Sequence, residues 1–169
     1  MKILIVGLGS IGQRHLRNIL LIDKTIEIYA YRRTFKTPTL SNNNNVLSKK
    51  LNEKYKIKYV NTLSNLKEFK INAAIICTPS SFHIKEAIIL AKQNISLFIE
   101  KPLSSSLTGI NTLKSILKKN NKITAMVGYQ LKFCPIMKNF NILFNKISTN
   151  FYILKNYINF SSSLNFIII

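Results

Sequence analysis

Acidic residues are scarce in this chain: six Asp and Glu stand against twenty-five Lys and Arg in 169 residues, a formal net charge of +19. The scarcity grows along the sequence, with no aspartate after Asp23, no glutamate after Glu100 and no histidine after His83. The final third therefore has no acid to orient a histidine or to share in proton transfer. Cysteine is as rare, with Cys77 and Cys134 alone, both in apolar surroundings. Neither a disulfide framework nor a zinc site fits that count, so no metal and a reducing, cytoplasmic setting are expected. No uninterrupted apolar run reaches the roughly 18 residues that cross a bilayer. The short apolar run at the N-terminus is too brief for a secretory signal and lacks a cleavage site, so no membrane partner is expected.

What is present is a globular composition, 47% hydrophobic, in a length that suits one domain of ordinary size with a real core. The lysine excess raises the alternative of a basic nucleic-acid-binding protein. Its lysines are scattered, however, and lie among Asn, Ile, Phe and Tyr, the residues that AT-rich codons specify. No reader motif or stacking platform accompanies them, so no specific nucleic-acid role is expected.

The strongest local signal is Gly7-Leu8-Gly9-Ser10-Ile11-Gly12, directly after the apolar run Ile3-Leu4-Ile5-Val6 and before a helical stretch at 13–21. A glycine pattern alone is weak, but this one stands at a strand-to-helix turn. There Gly7 permits the turn, Gly9 admits a pyrophosphate to the backbone, and Gly12 lets helix and strand pack closely. The unpaired N–H groups at the helix start, from Ser10 and Ile11 onward, suit a phosphate. The plainer reading is a βα turn that binds nothing.

Further on, strand and helix signals alternate. Strands are expected at 26–31, around 58–60, at 73–77 (buried on both faces), 96–99 and 124–127, with helices at 43–55, 81–92 and 105–119. This is an α/β pattern implying a doubly wound parallel sheet of the Rossmann-like kind. Ligands of such sheets lie at the carboxyl ends of the strands, which here finish at Gly7, Arg32, Thr78, Glu100 and Gly128. The second end carries Tyr31-Arg32-Arg33 where an NAD-type site would place an acid for the ribose hydroxyls. Two guanidiniums could hold a 2′-phosphate, or stack on adenine, so NADP(H) is favoured with NAD(H) still open. The alternative is that one or both face solvent.

The remaining ends are distinctive: Cys77-Thr78-Pro79-Ser80-Ser81-Phe82-His83, then Phe98-Ile99-Glu100-Lys101-Pro102-Leu103, then Gly128-Tyr129-Gln130-Leu131-Lys132-Phe133. With the glycine segment through His15, these four motifs, in this order, resemble the Gfo/Idh/MocA family of oxidoreductases over residues 1 to about 138. The resemblance implies a dinucleotide-binding domain followed by an α/β domain that supplies much of a sugar or cyclitol pocket. It places Lys101 beside the nicotinamide as the catalytic lysine and Glu100 near the nicotinamide ribose, with Thr78, Pro79 and His83 lining the cofactor cleft. It also suggests a cis Lys101–Pro102 bond, and leaves open a homo-oligomer among full-length relatives. Read from residues alone, a partly desolvated ammonium at a strand end can hydrogen-bond a reacting hydroxyl or carbonyl oxygen. His83, in the first turn of a helix, suits a capping or packing role nearly as well as ligand contact.

From about Asn139 the likeness stops: the tail has no clear amphipathic period and no acid, and resembles an AT-rich frame translated out of register. The expected division is a dinucleotide-binding domain at 1–128. Residues 129–169 then hold the start of a largely missing second domain and an atypical, frameshifted tail. The alternative is a genuine short protein whose tail packs on the sheet edge. The expected activity is hydride transfer between NAD(P)(H) and a sugar or polyol carbon, lost in so short a chain. A non-catalytic dinucleotide-binding module is the alternative from another class.

Overall fold

The computed structural model describes residues 1–34, 37–43, 45–48, 50–129 and 134–136. The expectations on the tail beyond Tyr129 therefore lie, three residues apart, outside the described residues.

The branched run after Met1 forms β1 (Lys2–Val6), and the glycine turn leads into α1 (Ser10–Ile22). β2 (Glu27–Tyr31) follows, then a hairpin of β3 (Thr39–Leu40) and β4 (Val46–Leu47), a short helix α2 (Leu51–Tyr55) and β5 (Lys58–Val60). After a 3-10 turn at Lys67–Phe69 come β6 (Ala73–Ile76), α3 (Ser80–Ala91), β7 (Ser96–Ile99), α4 (Ile110–Lys119) and β8 (Ala125–Val127). Six strands make one parallel sheet in the order β5-β2-β1-β6-β7-β8. The order reverses between β1 and β6, so a crevice opens at their carboxyl ends.

Alternate residues of β1 feed two cores, because strand side chains point to opposite faces in turn. Leu4 and Val6 join Ala74, Ile76, Leu97 and Ile99 under α3 and α4. Ile3 and Ile5 meet Leu16 of α1, Ile28 of β2 and Leu51 of α2 on the other face. Toward β6 and β7 this second face is thinner: Ala73, Ile75 and Phe98 are half-buried, where burial of β6 on both faces was expected.

Two helix expectations are corrected. The period at 43–55 is realised only as Leu51–Tyr55, because the asparagine run before it turns the chain into the β3–β4 hairpin. That hairpin is tied to α1 by the fully buried Gln13, whose Nε2 donates to Leu8 O (3.1 Å) and Pro38 O (2.8 Å) and whose Oε1 accepts from Leu40 N–H (2.7 Å). The helix expected from 105 starts at Ile110. Ahead of it Ser106 N–H donates to Ser104 Oγ, a local bond that competes with helix, and Gly109 has φ 83°, outside the right-handed helical region.

Candidate functional site

The βα turn after β1 is built around backbone, not side chains. Gly7 has φ 92°, donates its N–H to Tyr31 O (2.9 Å), and leaves a Cβ only 3.0–3.1 Å from Thr78 Cγ2 and the Cys77 carbonyl. A Cβ on Gly12 would fall 1.9 Å from Gly7 O, so α1 can lie this close to β1 only with glycine there. Gly9 differs: a Cβ on it would meet nothing within 4 Å. The backbone at Gly9 thus borders open space at the start of α1. The first helical bond runs from Gln13 N–H to Gly9 O, and no side chain caps the helix. The N–H groups of Ser10, Ile11 and Gly12 consequently have no partner inside the helix, which leaves a concave, partly positive surface that fits a pyrophosphate.

Across the crevice stand the ends of β6 and β7. Glu100 is partly buried; its Oε1 lies 2.7 Å from His15 Nε2, and its Oε2 accepts the Lys101 N–H at 3.1 Å. His15 reaches it from α1 and sets its ring edge-on to Phe98, with centroids 5.2 Å apart. The Lys101–Pro102 bond is cis and the Lys101 side chain is exposed. The structure thus brings Gly7, Gly9, Ser10, Ile11, Gly12, Thr78, Glu100 and Lys101 to the carboxyl edge of three neighbouring strands.

His83 does not line this cleft. It is 1% exposed, with Nε2 2.6 Å from Thr78 O and Nδ1 2.9 Å from Pro102 O, so it braces the two loops from inside. Pro79 is exposed at the N-terminal end of α3. Cys77 lies beneath the turn, where burial and the nearby Glu100 charge push its thiol up to about 12. It is therefore a poor nucleophile at neutral pH.

The two arginines after β2 have different surroundings. Arg32 Nη2 donates to Thr37 O (3.1 Å), and the side chain borders a cavity of about 490 Å3 shared with Ser48, Lys50 and Tyr59. Arg33 instead lies over the Phe82 ring, its Cζ 3.2 Å from the centroid, with Nη2 3.3 Å from Glu86 Oε1. Glu86 was missed by the sequence reading, as was His15 as a site residue. Glu86 lies on the inward face of α3, 3% exposed, and accepts the Thr78 hydroxyl at 2.5 Å. Burial pushes its carboxyl above the usual range, against the opposing pull of Thr78 and then Arg33. An acid among the apolar inward positions Ile84, Ala87, Leu90 and Ala91 is the sequence signal that could have found it. Among the described residues no group of three or more His, Cys, Asp or Glu could hold a metal ion, and no helix there is long and apolar enough to cross a membrane.

Comparison with known proteins matches residues 1–129 to the oxidoreductase family with an NAD-binding Rossmann fold, GFO_IDH_MocA. Over 135 residues the chain is 27% identical to a myo-inositol 2-dehydrogenase of Thermotoga maritima, covering 79% of this chain and 37% of that protein. It is 29% identical over 139 residues to an uncharacterized oxidoreductase, YrbE, of Bacillus subtilis, with the same shares covered. Its fold matches a scyllo-inositol dehydrogenase from Lactobacillus casei, solved with NAD(H) and scyllo-inositol bound (TM-score 0.61, 20% identity, 79% of this chain and 37% of that one). A dehydrogenase from Clostridium difficile gives a TM-score of 0.63 at 24% identity over 82% of this chain and 42% of its own. The chain thus spans about 37% of the length of the curated relatives it matches.

Proposed function

Because the chain belongs to the Gfo/Idh/MocA family of oxidoreductases, we propose that residues 1–128 hold a nicotinamide dinucleotide across the carboxyl ends of β1, β2 and β6. In the whole protein this domain presents the dinucleotide to a sugar or polyol, with inositol-like cyclitols the first class to test. Residues 129–169 would hold the start of the domain that completes the substrate pocket, followed by an atypical, frameshifted tail. The observation that carries the reading is the glycine turn: Gly7 and Gly12 are sterically obligatory for the fold, while Gly9 is not and borders open space at the helix amides.

Bound there, the dinucleotide supplies hydride transfer at its nicotinamide ring. The chain's own residues do the rest. Ser10, Ile11 and Gly12 offer N–H donors to the pyrophosphate. Thr78 and Pro79 form the opposite lip of the crevice. Glu100, steadied by His15, would serve the nicotinamide ribose as an acceptor. Lys101 Nζ donates a hydrogen bond to the reacting oxygen and stabilises the negative charge that develops on it, a task suited to an ammonium, while the proton transfer itself falls to the domain that would follow. A cytoplasmic setting and a small-molecule rather than nucleic-acid partner complete the reading.

For the cofactor, NADP(H) is the preferred form. No carboxylate follows β2 to bind a ribose diol, and Arg32 and Arg33 stand there instead. Calorimetric titration of the 169-residue chain with NADPH and NADH tests both levels. Binding of neither would refute the domain's role, and tighter binding of NADH would refute the phosphate preference alone. Arg32→Asp should reverse or erase that preference. Binding without turnover of inositols, sugars and other polyols is the outcome expected of so short a chain, whereas saturable turnover abolished by Lys101→Ala would show that the chain is active as it stands and would assign the lysine.

A further inference from the structure

Arg33 and Glu86 form a unit that the glycine turn and the catalytic lysine do not explain. Glu86 is the one carboxylate fully inside the protein among the described residues, with its side chain 4% exposed. A buried carboxylate must be paired, hydrogen-bonded or protonated. Thr78 Oγ1 supplies one hydrogen bond, and the Arg33 guanidinium is its ion-pair partner. The same guanidinium lies against Phe82. An aromatic face on one side and a carboxylate oxygen at its rim fix the plane of the group, where a surface arginine would sample many rotamers.

The position matters as much as the pairing. Arg33 follows β2 and Glu86 belongs to the helix after β6, and β2 and β6 flank β1 in the sheet. The side chain therefore bridges the carboxyl end of β1, beside the glycine turn. Any dinucleotide with its pyrophosphate at Gly9–Gly12 must lay its adenosine half along this stretch. Arg33 is 39% exposed, so its contacts with Phe82 and Glu86 do not seal the side chain from solvent.

Resting on the dinucleotide reading above, we propose that Glu86 is a specificity-determining positioning residue: by holding Arg33 flat on Phe82, it makes that guanidinium a stacking plate for adenine and withholds its charge from a ribose 2′-phosphate. The charge-assisted bond that Arg33 could give a phosphate goes to Glu86 instead. Arg33 then contributes equally to NADH and NADPH, and phosphate discrimination at the end of β2 does not come from it. This separates the paired arginines, which look equivalent in the sequence, into two roles.

The test measures dissociation constants of NADH and NADPH by calorimetry on the 169-residue chain and its variants. Glu86→Gln keeps the side-chain shape and the Thr78 contact but cancels the charge. The freed guanidinium should tighten NADPH about fivefold relative to NADH, and Glu86→Gln/Arg33→Ala should erase that gain. A purely structural role would weaken both dinucleotides together and leave their ratio alone. An unchanged ratio with both constants measurable overturns the proposal. Should Glu86→Gln fail to fold, Arg33→Ala decides: equal weakening of both dinucleotides supports the plate, and selective loss of NADPH by about tenfold refutes it. If the unmutated chain binds neither dinucleotide, the reading beneath falls and this proposal with it, a result distinct from binding of both with an unmoved ratio.

Discussion

Gly9 and Gly12 are three residues apart in one turn, yet alanine at each should damage different things. At Gly12 the new methyl would stand 1.9 Å from Gly7 O and 3.0 Å from Gly7 C, both backbone atoms of the facing turn. Normal carbon–oxygen contact needs about 3.3 Å, so the start of α1 would have to move away by over 1 Å. Overpacking of that kind costs about 1–3 kcal/mol, more where the backbone must shift, and the helix propensity gained over glycine returns about 1 kcal/mol at most. Melting should fall by about 2–4 °C per kcal/mol lost, and dinucleotide affinity should drop with the distorted turn. At Gly9 the backbone is extended (φ −68°, ψ −169°), a conformation alanine adopts freely, and nothing lies within 4 Å. Gly9→Ala should therefore melt within about 1 °C of the unmutated chain while losing at least tenfold in dinucleotide affinity, since the methyl occupies the space of the pyrophosphate. Thermal melts followed by circular dichroism, with calorimetric titration of NADPH, read both variants. Gly9→Ala that binds as tightly as the parent would sink the assignment of that space. Gly12→Ala with unaltered melting would show that the turn relaxes more easily than its geometry implies.

Three further outcomes follow from buried groups. Because burial holds the Glu86 carboxyl above its unfolded value of 4.5, its contribution is fully present below that pH and is lost as pH rises through the folded value. Denaturant melts should show the parent losing stability relative to Glu86→Gln across that window, with a slope of at most about 1.4 kcal/mol per pH unit and no difference in slope above it. Cys77, with its thiol at about 12, should resist iodoacetamide at pH 8 in the native chain and react readily in urea. The thiolate fraction there is only about one in ten thousand, against about one in ten unfolded, so fast native alkylation of Cys77 by peptide mapping would contradict its placement. Gln13→Leu should cost about 2–4 kcal/mol in chemical denaturation, because it strands Pro38 O and Leu40 N–H at the hairpin junction; a loss under 1 kcal/mol would mean the hairpin is held elsewhere.

Most of the sheet was legible because its strands are short branched runs closed by special residues. Ile3–Val6, Ala73–Ile76 and Ser96–Ile99 announce themselves by composition, and the glycine, Thr-Pro and Glu-Lys-Pro turns mark where each one ends. The hairpin around the asparagine run was not legible. Its strands have two residues each and depend on Gln13 and Arg17, some 25 positions earlier, which no local pattern records. The same limit governs the site. Gly7, Gly9 and Gly12 act through local backbone geometry and can be read in place. His15 with Glu100, and Arg33 with Glu86, are pairs 85 and 53 residues apart that only the strand order brings together. His83 was placed in the cleft by the family resemblance, with a capping or packing role kept beside it, and the helical turn rotates it inward onto two carbonyls.

The strand order also fixes a sequence of events during synthesis. β1 pairs with β2 and β2 with β5, so half of the sheet can assemble once about sixty residues have left the ribosome. The other edge of β1 must then wait for β6, with Ile3 paired to Ala73 and Ile5 to Ile75. Until that segment emerges, the most apolar strand of the nascent chain has an open edge, a template for pairing with the wrong partner. The crevice forms only when this seam closes, because one lip comes from the early half and the other from the late half. A dinucleotide would bind the closed seam and not the open one, and so would favour docking of the two halves by mass action while the chain is still being made.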